Sequence, residues 1–212
     1  MASPVRRTPK RERRSHAERT AETRLRIVEA VIESIAEVGF QRTTAVEITR
    51  RAGVTWGAVQ HHFGDKDGIL IAVLEDSFQR FAARLEDVGV EGLPLERRVA
   101  LFVERAFDHF TSREYASTYE ILLDHLRRED PLPQSGARWQ IQMSRAWERV
   151  WRRFFGDVAV PRKRQLRLQH YTVAVLSGLA STRMLEGGEP SLPREELELL
   201  EATLVRELTR AA

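Results

Sequence analysis

Apolar residues recur along this chain at helical spacing. Leu25, Val28, Ile32 and Ile35 share one helix face, which Ile27, Val31 and Val38 widen. Ser15-x-x-Glu18 forms a capping box ahead of that run and Gly39 supplies a left-handed stop behind it, so the pattern predicts a first helix over 16–38. Thr44-x-x-Glu47 reads as a second capping box, opening a short helix to about Arg51. Gly53 breaks it, and Thr55 caps a third helix that ends at His62 or Phe63. Asp65 caps a longer fourth helix to residue 88, with Leu70, Leu74, Phe78, Phe81, Leu85 and Val88 along one face. Breaks at Gly92-Leu93-Pro94, Ser112, Pro131-Leu132-Pro133, Gly156 to Pro161 and Gly187-Gly188-Glu189-Pro190 divide the rest into helices over 95–111, 113–128, 134–155, 161–186 and 193–210. No alternation long enough for a strand and no internal repeat occurs, so the expected fold is all-α with nine helices.

Residues 44–63, TAVEITRRAGVTWGAVQHHF, have the layout of a helix-turn-helix. Val46, Ile48 and Ala52 are expected to bury one face of the first helix, with Gly53 at the turn and Val54 inserted below it. Ala58, Val59 and Phe63 pack the second helix inward, which leaves Thr55, Trp56, Gly57, Gln60, His61 and His62 facing out. That face is polar and aromatic and offers donors to base edges and phosphates. The same residues also suit two short helices of an ordinary bundle.

Composition narrows the function classes. Of 212 residues, 42% are hydrophobic and 31% charged, which argues against wholesale disorder. The absence of cysteine excludes disulfides, thiolate metal sites and a thiol nucleophile. No stretch approaches the roughly 18 uninterrupted apolar residues of a membrane span. The amino terminus lacks the apolar core of a secretory signal, so a cytoplasmic location is expected, with no membrane partner. Charge is uneven. Residues 1–66 hold 13 Lys and Arg against 8 Asp and Glu, whereas the remainder holds 21 against 23. Residues 1–14, with two prolines and many arginines, read as a disordered basic arm that an anionic partner would order. Dinucleotide, P-loop, serine-hydrolase and zinc-protease motifs are all missing, so no catalytic residue, cofactor or metal is expected. His61, His62 and Asp65 make a poor metal site, because adjacent helical residues diverge by about 100°.

Residues 16–85 resemble the DNA-binding domain of the TetR/AcrR family of transcriptional regulators. The resemblance rests on Gly39-Phe40, Thr43-Thr44, the run Gly53-Val54-Thr55-Trp56-Gly57-Ala58-Val59-Gln60-His61-His62-Phe63, and Lys66. It departs from the family at Gln60, where a tyrosine is common, and at the bulky Trp56. It implies a nine-helix subunit with a helix-turn-helix domain over 15–64 and a helical ligand-binding and dimerisation domain over 65–212. It implies in turn a repressor released from a palindromic operator by a small-molecule inducer. A ligand-independent or activating regulator is the alternative, as is, in another class, a scaffold reused as an enzyme or interaction module. Carried over by residue, Thr43 or Thr44 and Lys66 would hold phosphates, Thr55, Trp56 and Gly57 would face bases, and Gln60, His61 and His62 would do both. The fourth helix would be the lever between reading head and body.

Two further expectations concern the body. Val173, Leu176, Leu179 and Ala180, with Leu197, Leu200, Leu204 and Leu208, form stripes suited to pairing two subunits or to filling an intramolecular core. Phe102, Phe107, Phe110, Tyr119, His125, Trp139, Met143 and Trp147 are the candidate lining of a ligand pocket, and they equally describe a filled core.

Overall fold

Local capping chemistry sets the helix starts. The structure is a computed structural model that describes residues 15–127, 134–186 and 193–210, without the side chains of 66, 125–127, 134–140 and 186. The basic arm and the side chains of Lys66, His125 and Trp139 therefore lie outside the described residues. Among the described residues all regular structure is helical: α1 (His16–Val38), α2 (Ala45–Ala52), α3 (Trp56–Phe63), α4 (Lys66–Glu86), α5 (Leu95–Phe110), α6 (Arg113–Arg127), α7 (Gln134–Phe155), α8 (Arg162–Glu186) and α9 (Arg194–Thr209). A single 3-10 turn, Phe40–Arg42, joins α1 to α2. No described helix is long and apolar enough to cross a membrane.

The first capping box forms in full. Ser15 Oγ accepts from the Glu18 amide at 3.1 Å while the Glu18 carboxylate accepts from the Ser15 amide at 2.7 Å. The second forms only by half. Thr44 Oγ1 accepts from the Glu47 amide, but the Glu47 carboxylate turns to Arg50 at 2.7 Å and Arg51 at 2.5 Å. Arg51 also reaches Glu37 of α1 at 2.6 Å, so two strong cation partners outcompete one backbone amide. These guanidiniums hold the Glu47 carboxyl at about 2. A second correction concerns Val46, which is 76% exposed. At about 100° per residue it stands far around the helix from Ile48 and Ala52, which are buried.

Apolar faces gather into two clusters. In the first, α1 residues Ile27, Val31, Ile32 and Ile35 meet Phe40, Ile48 and Val59. The second fills the body with Phe102, Val103 and Phe107 of α5, Val150, Trp151, Phe154 and Phe155 of α7, and the inner faces of α8 and α9. Helix α4 serves both: Ile69, Val73 and Leu74 lie in the first cluster, Phe81, Ala82 and Leu85 in the second.

The body core revises both residue sets read from its sequence. Leu176, Ala180, Leu197, Leu200, Leu204 and Leu208 are buried within one subunit, where α8 and α9 cover the apolar face of α5. They are not free to pair subunits, while Val173 and Leu179 are only partly buried against the same core. Among the described residues of these helices, the large apolar side chains left exposed are Leu166, Tyr171, Met184, Leu185 and Leu199. Phe102, Phe107, Phe110 and Trp147 are likewise core: the Phe102 ring meets Trp147, Trp151, Phe154 and Phe155 with centroids 5.4 to 6.4 Å apart. These rings pack against one another as a core does. Tyr119 stacks on Tyr115 at 6.1 Å, and Met143 and Trp147 of the set line a cavity.

His109 of α5 is buried between α4 and α6, its ring 4.6 Å from that of Phe81 and its Nδ1 without a hydrogen-bond partner. Burial, with the Arg84 charge in support, pushes its pKa down to about 4. The unfolded imidazole takes up a proton below about pH 6.5, whereas the folded one stays neutral down to about 4, so stability falls as pH drops through that window. Full passage costs on the order of 3 kcal/mol. Urea unfolding at about pH 7 and about pH 5 should lose about 2 kcal/mol more in the native protein than in a His109→Phe variant. Equal losses would show that this ring is already charged or exposed.

Candidate nucleic-acid interface

Three local devices present α3. Gly53 takes up φ 63° and ψ 39° at the end of α2, a left-handed conformation that suits glycine, and both its amide and that of Val54 return to the Thr49 carbonyl. Thr55 then caps α3, its Oγ1 accepting from the Ala58 amide at 3.2 Å. Val59 is buried beneath. Thr55, Gly57, Gln60 and His61 are exposed on the outer side, while Trp56 and His62 are half-buried, Trp56 against the first cluster.

The proposed phosphate contacts separate under this geometry. Thr43 is only 3% exposed. Its hydroxyl pairs with Ser34 Oγ at 3.0 Å and donates to the Gly39 carbonyl at 3.1 Å, so it locks the α1–α2 turn and is closed to a phosphate. Thr44, the exposed cap of α2, is the member of the pair at the surface. Lys66 opens α4. Arg42, exposed in the turn, is passed over by the sequence reading, because one cation before a helix cap is too common a pattern to single out.

His62 is held from behind. Its carbonyl accepts from Arg24 at 3.2 Å, and the Arg24 guanidinium lies 4.6 Å above the Phe63 ring. Partial burial, then the neighbouring His61 and Arg24, lower its pKa and favour a neutral ring with one donor and one acceptor. His61 sits edge-on to it at 5.5 Å.

The junction of α3 with α4 is unusually close. Gly64 turns the chain at φ 79°, and Asp65 caps α4 by accepting from the Gly68 amide at 2.8 Å. A Cβ on Gly68 would sit 1.9 Å from the Phe63 carbonyl oxygen, so the last residue of α3 and the first turn of α4 touch through backbone alone. Helix α6 grips the other side of the reading head. Glu120 accepts from the Phe40 amide at 2.8 Å, Asp124 from Gln41 Nε2 at 2.6 Å, and Ser117 donates to the Ile32 carbonyl at 3.3 Å. Sequence offers no signal for these contacts, which join residues about 80 positions apart.

With this geometry in hand, likeness to known proteins falls where the site does. Residues 27–73 match the family described as bacterial regulatory proteins, tetR family. The chain is 27% identical over 168 residues to the HTH-type transcriptional regulator BetI of Cronobacter sakazakii, covering 77% of this chain and 80% of that protein. Against a BetI of Escherichia coli it is 35% identical over 91 residues, which span 40% of this chain and 45% of that one. Among solved structures, a TetR family protein from Vibrio parahaemolyticus superposes with a TM-score of 0.64 at 20% identity, over 85% of this chain and 95% of that one. The regulator FadR of Bacillus subtilis, solved with stearoyl-CoA, superposes with a TM-score of 0.63 at 16% identity, over 89% and 99%. At such identity the two superpositions speak for the fold alone.

The glycines of the reading head should differ in what they tolerate. Gly53→Ala meets open space and is strained only by its positive φ, a cost of about 1 kcal/mol. Gly68→Ala drives a methyl into a backbone carbonyl that no rotamer change can move, and should cost about 2–3 kcal/mol. Denaturant midpoints of the two variants rank them, and the reverse ranking would refute the close α3–α4 contact.

Proposed function

We propose that this chain, which matches the TetR family over residues 27–73, is a DNA-binding transcriptional regulator of that family, a repressor that sits as a homodimer on a palindromic operator and leaves it when a small molecule binds the body. The observation that carries this reading is the polar face of α3, with Thr55, Gly57, Gln60 and His61 exposed on a helix fixed at both ends. Thr55, Trp56 and Gly57 face base edges, and Gln60, His61 and His62 reach both bases and phosphates. Thr44 and Lys66 hold phosphates at the amino ends of α2 and α4, where helix dipoles favour anions. The Arg-rich arm over 6–14 adds a backbone or minor-groove grip. One good base contact is worth about 1–3 kcal/mol of discrimination, so two or three per subunit suffice in a dimer.

Pairing falls to the exposed apolar residues of α8 and α9, among them Tyr171, Met184, Leu185 and Leu199, in place of the stripes that fill the subunit core. Two-fold pairing sets the two α3 helices at a spacing that a symmetric operator repeats. An inducer that prefers a subunit shape with wrongly spaced reading heads lowers DNA affinity by its differential binding, typically about 1–3 kcal/mol. FadR was solved with stearoyl-CoA, and a small-molecule site in the body of this chain follows the same plan. Helix α4 is the lever, seconded by the Glu120 and Asp124 contacts of α6. Such a repressor works in the cytoplasm, on the nucleoid.

Selection of genomic fragments by the purified protein at about 0.1 M salt tests the reading. The expected result is enrichment of a sequence with two-fold symmetry. Replacing Gln60 and His61 together by alanine should lower affinity for that site by about 100-fold and leave the weak binding to random duplex in place, since base contacts and not phosphate contacts are lost. No enrichment over random competitor, or a double variant that binds the site unchanged, would overturn it.

A further inference from the structure

A cavity of about 410 Å³ lies between α7 and α8, inside the range of about 300–1,000 Å³ typical of small-molecule sites. Met143 and Trp147 of α7 and Leu166, Val173 and Ala174 of α8 give it apolar walls. No carboxylate, lysine or arginine occurs among its described lining residues, so nothing there replaces the hydration shell of an ion. The polar lining residues are Ser144 and His170, both exposed at the rim, and Gln169, the buried one. It lines the cavity, is only 6% exposed, and its side-chain amide nitrogen has no hydrogen-bond partner. Buried amide donors are almost always paired, and an unpaired one weakens the fold it sits in. An oxygen acceptor placed in the cavity would pair it.

We propose that this cavity takes a neutral, mostly apolar molecule bearing a carbonyl group, whose oxygen accepts from Gln169 Nε2. This rests on the reading of the chain as a ligand-released regulator and gives that ligand a place and a chemistry. The site is connected to the reading head. Trp147 forms one wall and also meets Phe81 and Phe78 of α4, with ring centroids 5.1 and 6.4 Å apart. Eight positions earlier on the same helix, Val73 is fully buried in the reading-head core. A ligand that displaces the Trp147 ring therefore pushes on the helix that carries α3.

Fluorenone and fluorene make a matched pair of probes, both flat and neutral, differing in one carbonyl. Their binding is read by quenching of tryptophan fluorescence in the full-length protein without DNA. The native protein should bind fluorenone about tenfold more tightly than fluorene, the worth of one hydrogen bond. In Gln169→Leu that preference should vanish while the melting temperature in the absence of probe is unchanged or higher, because an unpaired donor has been removed. A merely structural glutamine would instead lower the melting temperature and leave the preference intact. Ser144→Phe, at the exposed mouth, should lose both probes and keep its helical circular dichroism. The proposal falls if the native protein binds neither probe, binds them equally, or keeps its preference in Gln169→Leu. It also falls if the cavity proves to be closed by a second copy of the chain, which would appear as lost probe binding on dimerisation. Operator selection without probe is scored separately, so DNA binding and ligand binding fail independently.

Discussion

Helix α4 gives its apolar side chains to two hydrophobic cores at once. Its first half, through Ile69, Val73 and Leu74, completes the cluster beneath α1, α2 and α3, and its second half, through Phe81 and Leu85, completes the body. Each core counts α4 side chains among its fully buried members, Val73 in one and Leu85 in the other. The backbone contact at Gly68 makes the coupling stiffer, because α3 ends against the first turn of α4 with no side chain between them to yield. Packed interiors respond to displacement by shifting whole elements, and α4 is the element that the two cores share.

Polar contacts then determine in which direction the reading head is restrained. Arg51 joins α2 to α1 through Glu37, and Arg24 joins α1 to the end of α3 through the His62 carbonyl and the Phe63 ring. Glu120 and Asp124 of α6 hold the turn between α1 and α2 from the body side. The head thus rests on α4, through apolar packing and the Arg80–Glu29 ion pair at 2.9 Å, and on α6, through hydrogen bonds and the buried Ile121. His109 lies between these two helices, which is why its protonation bears on stability.

Much of this was legible in the chain because helix capping is local. Ser15, Thr55 and Asp65 act within three residues of themselves, and each opens the helix it announces. Family resemblance and helical spacing together indicated which face of α3 points outward. What failed depended on partners distant in sequence. An apolar stripe says that Leu200 and Leu204 are buried but not whether α5 or another subunit buries them. Thr43 carries the hydroxyl expected of a phosphate ligand, yet Ser34 and the Gly39 carbonyl claim it. Aromatic residues at helical spacing suggested a pocket, but Phe102, Phe107 and Phe110 are buried in the core, and the cavity walled by Met143 and Trp147 takes its other wall from α8.

The most direct test of the central claim, that α3 is the surface that meets duplex DNA, is fluorine NMR of protein labelled with fluorotryptophan. The four tryptophans divide well for this purpose, with Trp56 at the start of α3 and Trp139, Trp147 and Trp151 all on α7. On addition of a selected operator duplex the Trp56 resonance should move furthest, and the α7 resonances should follow by less. A Trp56 signal that stays in place while the protein is bound, or a displacement confined to α7, would contradict the account.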